Sequence, residues 1–165
     1  MVIQEKFGNI KDHGVDKIID KLQLEWHETN KRILHKKTTS GKEIILKFLK
    51  ENQQLTEGDI LFEDDATIIA IEILPCDAII VKTKTVFEIA AACYEIGNRH
   101  LPLFYFNDEL LIAFEAPLYN LLLLAGYDVE RGERKLITPL KTSVKAHASL
   151  SLDPLFTATS DINKF

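Results

Sequence analysis

Cysteine is scarce in this chain: Cys76 and Cys93 stand far apart and belong to neither a CxxC nor a CxxH pattern. Their default reading is a pair of small buried hydrophobes, with a thiolate metal ligand the lesser alternative. Long apolar runs are also missing. The longest, "LYNLLLLAG", is interrupted and short of the roughly 20 residues that cross a bilayer. The N-terminus "MVIQEKFGNIKDHG" lacks the basic and apolar regions of a secretory signal, so a cytoplasmic protein is expected. Neither GxGxxG nor GxxxxGK[ST] occurs, and no GxSxG elbow is found. With no cofactor motif and no nucleophile beside a plausible base, an enzyme is disfavoured. Positive charge is not in excess either. A net charge of −5 and a pI near 5.5 give no electrostatic reason to hold nucleic acid or an anionic membrane.

What is present describes a globular protein of one ordinary or two small domains: 165 residues, 46% hydrophobic and 27% charged. From Leu22 the pattern has period two. "LQLEWHE" reads as a half-buried strand with Leu22, Leu24 and Trp26 inward. "KRILHKKTT" and "SGKEIILKFL" read as two strands turning at Ser40-Gly41, followed by "ILFE" and "TIIAIEIL". Pro75 marks a change. "DAIIVKT" is a strand, and "KTVFEIAAACYEIG" has helical spacing with Val86, Ile89, Ala90, Cys93 and Ile96 or Gly97 on one stripe. Thr85 and Glu88 form a capping box at its start, and Gly97 is placed to end it in the left-handed conformation. "LPLFYF" and "ELLIAFE" make a hairpin about Asn107-Asp108, "PLYNLLLLAG" a second helix, and "RKLITPL" a final strand.

The fold class is therefore α+β. An N-terminal all-β domain, residues 1–75, precedes a ferredoxin-like βαββαβ domain, residues 76–140, and a C-terminal tail, residues 141–165, expected to be mobile.

Most charged clusters have ordinary explanations. Glu63, Asp64 and Asp65 read as a hairpin tip, Glu25 and Glu28 as surface charges, and Lys31, Arg32, Lys36 and Lys37 as a solvated face. Of the five histidines, His13, His27 and His35 are assigned no chemistry. His100 and His147 differ. A cation just past a helix C-terminus is favourable in itself, and one histidine alone makes a poor metal site. In a symmetric dimer that objection weakens, because one histidine per chain supplies two imidazoles at one place. His147, in the loose tail, can add a further ligand.

The segment "CYEIGNRHLPL", above all Gly97-Asn98-Arg99-His100 after a β domain, resembles the urease accessory protein UreE family of nickel metallochaperones. "GDILFEDDATIIAIEIL" and "LEWHETNKRILHKKTTSGKEIILKFL" are similar to that family's N-terminal strands, so the likeness runs roughly from Leu22 to Gly126. The resemblance implies a homodimer whose ferredoxin-like domains meet, with the signature histidine of each chain, here His100, on one nickel ion. It implies His147 as an auxiliary ligand and a β domain that contacts partner proteins. It further implies delivery through an accessory GTPase to the urease maturation complex, tetramers formed around metal, and no catalysis. The same imidazoles also suit zinc or copper. Two departures are visible: the tail holds only His147 instead of a histidine-rich store, and "AFEAPLYNLLLL" has no extra histidine pair. Both favour a low-capacity carrier. The rival reading is a metal-independent peptide-binding module that pairs an extended segment with a sheet edge.

Overall fold

The computed structural model describes residues 1–12, 16–49 and 54–140. Its N-terminal half is built from β1 (Val2–Ile3), β2 (Gly8–Asn9), β3 (Ile18–Leu24), β4 (Ile33–Lys37), β5 (Glu43–Lys47), β6 (Asp59–Glu63) and β7 (Thr67–Ile73). These strands form two sheets, ordered β1-β5-β4 and β2-β6-β7-β3. Alternation turns Leu22 and Leu24 of β3, Ile44 and Leu46 of β5, and Ile69, Ile71 and Ile73 of β7 into one shared core. Full burial of each such side chain contributes about 2 kcal/mol.

The expected β4–β5 hairpin is present, with Gly41 at φ +90° in its turn. Asp20 pins that turn to β3, accepting hydrogen bonds from Thr39 Oγ1, Ser40 N and Ser40 Oγ at 2.6–3.1 Å. The strand around Leu22 starts earlier than its alternation announces and stops at Leu24. Trp26–Glu28 is instead a single 3-10 turn, closed by Thr29 donating to the Trp26 carbonyl.

After Pro75 come β8 (Cys76–Lys82), α1 (Val86–Gly97), β9 (Phe104–Phe106), β10 (Glu109–Ala113), α2 (Ala116–Leu124) and β11 (Asp128–Arg134). This is the expected βαββαβ order, in one antiparallel sheet arranged β11-β8-β10-β9. Asn107 and Asp108, both at positive φ (49° and 61°), make the β9–β10 turn. The two helices cover one sheet face, where Ala92, Ile96, Leu118 and Leu122 pack on Ile79, Val81, Leu110 and Ile112.

Three expectations need correction. The last strand among the described residues is "DVERGER", not "RKLITPL". Only Val129 of β11 is buried, so its charged outer positions hide the period-two signal. Helix α1 turns Ala92 and Ile96 inward and leaves Val86, Ile89 and Ala90 of the expected stripe exposed. Glu28 is buried and ion-paired to Lys36, with Lys31 at 3.6 Å, so it is no surface charge and Lys36 is not simply solvated.

The other face of the second sheet carries Ala78, Ile80, Phe104, Leu111 and Leu136, and Trp26 from the first half packs against it. Trp26 also touches the first core, as does Ile137 from just beyond β11. Trp26 meets Phe104 edge-on at 5.6 Å between centroids. At the same seam Glu57 accepts from Ile73 N at 2.6 Å and from Lys135 Nζ at 2.9 Å, tying the connection between the halves to the end of β11.

Candidate functional site

Thr85 caps α1 as expected, its hydroxyl accepting from Glu88 N at 3.2 Å. The Glu88 carboxylate closes on Lys84 N at 2.6 Å, one residue before the position a reciprocal capping box requires. At the other end the helix does not reverse at Gly97, which stays helical. Asn98 continues in the right-handed conformation (φ −62°), and the left-handed residue is His100 itself, at φ 55°.

The last carbonyls are satisfied without a left-handed glycine. Asn98 N donates to Tyr94 O at 3.1 Å, Arg99 N to Ile96 O at 3.0 Å and His100 N to Gly97 O at 3.0 Å. Arg99 Nη1 completes the latch, donating to Glu95 O and Glu95 Oε1, each at 2.7 Å. Histidine is among the few non-glycine residues enriched in the left-handed region, yet the conformation still costs it about 1 kcal/mol. Sequence reasoning placed His100 at the helix end; it missed that His100 is the turning residue.

His100 is exposed, and the chain beyond it enters β9. The outer edge of β9 is taken by the segment after β11: Tyr105 N donates to Thr138 O at 3.0 Å, Phe104 bridges Pro139 antiparallel, and Leu140 N donates to Leu103 O at 2.7 Å. The chain therefore leaves Leu140 heading back along the segment that leads to His100. His147, seven residues on, lies outside the described residues, as do the tail and His13.

Among the described residues no three His, Cys, Asp or Glu side chains converge as a metal cage. His35 is exposed on β4, and His27 is exposed with its ring edge-on to Trp26 at 5.6 Å. The two cysteines are half-buried and unbridged. Burial pushes the Cys93 thiol up, and burial with Glu25, Asp77 and Glu133 does the same for Cys76, so neither is poised as a thiolate. The turn carboxylate Asp64 accepts from Ala66 N and Thr67 N, which hold it below the usual range in a structural role.

The chain thus belongs to the class of two-domain α+β proteins in which a β-sandwich is joined to an antiparallel βαββαβ domain, here with an exposed histidine at the end of its first helix. The N-terminal domain model of the UreE urease accessory protein matches residues 3–74, and the C-terminal domain model matches residues 77–147. The urease accessory protein UreE of Flavobacterium johnsoniae is 40% identical over 165 residues, covering 99% of this chain and 100% of that one. The protein of the same name from Actinobacillus pleuropneumoniae is 41% identical over 147 residues, 86% of this chain and 79% of its own. That of Acetivibrio thermocellus is 35% identical over 141 residues, 85% and 92% of the two chains. The chain belongs to the UreE family of urease accessory proteins. Its role lies in urease maturation, as an accessory protein and not as an enzyme.

Proposed function

We propose that the chain is a cytoplasmic nickel metallochaperone that works as a homodimer. His100 of each protomer supplies one imidazole to a nickel ion on the two-fold axis, and His147 supplies an auxiliary ligand from the tail. The ion passes through an accessory GTPase to the urease maturation complex. In this division of labour residues 1–75 meet partners, 76–140 dimerise and bind metal, and 141–165 bring the auxiliary ligand.

The observation that carries the reading is the setting of His100. It is exposed, held at φ 55° by a closed helix end, and follows a helix whose outer side is apolar: Val86 and Phe87 are 82% and 81% exposed. Such a face favours association, and association about a two-fold axis doubles the imidazoles. The exit of the chain at Leu140 beside Leu103 supports the part given to His147, since seven extended residues reach about 24 Å. Imidazole binds nickel, zinc and copper alike, so metal choice rests on supply and partner recognition. Two dimers sharing an ion account for a tetramer at high metal.

Calorimetric nickel titration of wild type and His100→Ala, with mass followed by light scattering, tests the proposal. Expected are about one ion per dimer in wild type and no tight binding in the variant. Undiminished binding by the variant would overturn it.

One observation favours a second reading, a metal-independent module that holds an extended peptide. A cleft of about 550 Å³ lies between β1 and β6, lined by Met1, Val2, Ile3, Phe7, Leu61 and Phe62. Partner binding of equal strength with and without nickel would favour that module.

A further inference from the structure

Among the described residues nothing requires Gly97 to be glycine. At Gly58 the reason is plain, because φ is +79° and an added Cβ would lie 2.8 Å from Ile10 Cγ1. Gly126 ends α2 at φ +85°. Gly97 is the last residue of α1, its φ lies outside the left-handed region, and a Cβ built on it would meet nothing within 4 Å among the described residues. Glycine there weakens the helix relative to alanine and relieves no contact.

The helix surface around it supplies a reason. The 3.6-residue period places Gly97 on one side with Val86, Phe87, Ala90, Cys93 and Tyr94. Tyr94 is 73% exposed, and Val86 and Phe87 more so. No residue on that side is charged; Glu88 is engaged at Lys84 N and Glu95 at Arg99. In a chain of net charge −5, such an uncharged strip would let two copies meet without like-charge repulsion.

We infer that Gly97 is the point of closest approach between the α1 helices of two protomers. The missing Cβ lets the second helix pack against the backbone at this turn, as small residues do where membrane helices cross closely. His100 follows three residues later. The approach at Gly97 therefore sets how near the two imidazoles come, and a single added methyl group moves them apart. The inference rests on the dimer reading above and adds the residue that sets the dimer's spacing.

The test compares wild type, Gly97→Ala and Gly97→Leu in a dilution series by sedimentation equilibrium, with circular dichroism as the check on folding. The alanine variant is expected to keep or gain helix signal while its dimer dissociation constant rises at least about tenfold. The leucine variant is expected to be monomeric with the same fold, and nickel affinity falls in step with dimer loss. A monomeric wild type would overturn the dimer reading and this inference together. A dimeric wild type with equally tight dimers in both variants would overturn this inference alone.

Discussion

His100 carries two demands at once, a left-handed backbone and an exposed imidazole, and substitutions separate them. His100→Ala keeps the strain and removes the ring, whereas His100→Gly removes both. The glycine variant should be the more stable of the two by about 1 kcal/mol in urea denaturation, while neither holds nickel tightly. Equal stabilities would mean that the φ of 55° costs nothing. Buried carboxylates set the acid limit of the fold. Burial pushes Asp20 up, but the hydrogen bonds from Ser40, Thr38 and Thr39 outweigh it and leave the group below its ordinary value. Burial likewise raises Glu28, and Lys36, the Glu25 backbone and Lys31 lower it further than burial lifts it. A lowered native pKa stabilises the fold above the ordinary carboxylate value, and that share is lost as the pH falls through the native value. Stability should therefore drop below about pH 4, and Glu28→Gln should make that drop shallower in pH-dependent thermal melts. An unchanged acid slope would remove Glu28 from the account. The burial of Glu28 was not legible in the sequence, because its partner Lys36 sits on β4 while Glu28 belongs to a turn between strands.

Among the elements, α1 shows what pattern reading can and cannot give. Its start was readable because Thr85 and Glu88 are capping residues, and Thr85→Ala should cost about 1 kcal/mol in thermal denaturation. A negligible loss would mean that water replaces the hydroxyl. Which side of α1 faces the core was not readable, since "VFEIAAACYEIG" is apolar nearly all round and offers more than one stripe. That ambiguity has a physical source: one apolar side packs on the sheet and another faces outward. The reverse holds for β11, where Lys82–Glu130, Arg131–Asp77 and Arg134–Glu109 ion pairs cover a strand that buries only Val129. Such a strand has no alternation to detect. The βαββαβ order was legible all the same, because turns at Asn107-Asp108 and Gly126 punctuate it whichever strand faces which. For the candidate site, "GNRH" located His100, and the i,i+4 spacing of Glu95 and Arg99 is a readable ion-pair signal; the second bond of the latch, from Arg99 to the Glu95 carbonyl, is not given by spacing.

Across the whole molecule, the contacts at Trp26, Ile137 and the Glu57–Lys135 pair join the two halves. The sequence suggested a boundary near Pro75 and gave no hint of this seam, since its members lie far apart along the chain. Trp26→Ala should split one cooperative unfolding transition into two in calorimetry, because each half keeps its own core while their shared aromatic contact is lost. A single sharp transition at unchanged midpoint would show the halves coupled by other contacts. Trp26 is also the chain's only tryptophan. The intrinsic emission of this protein under selective excitation thus comes entirely from the joint between its halves. Any partner or cargo that loosens or tightens that joint would report itself as a colour and intensity change, with no label attached.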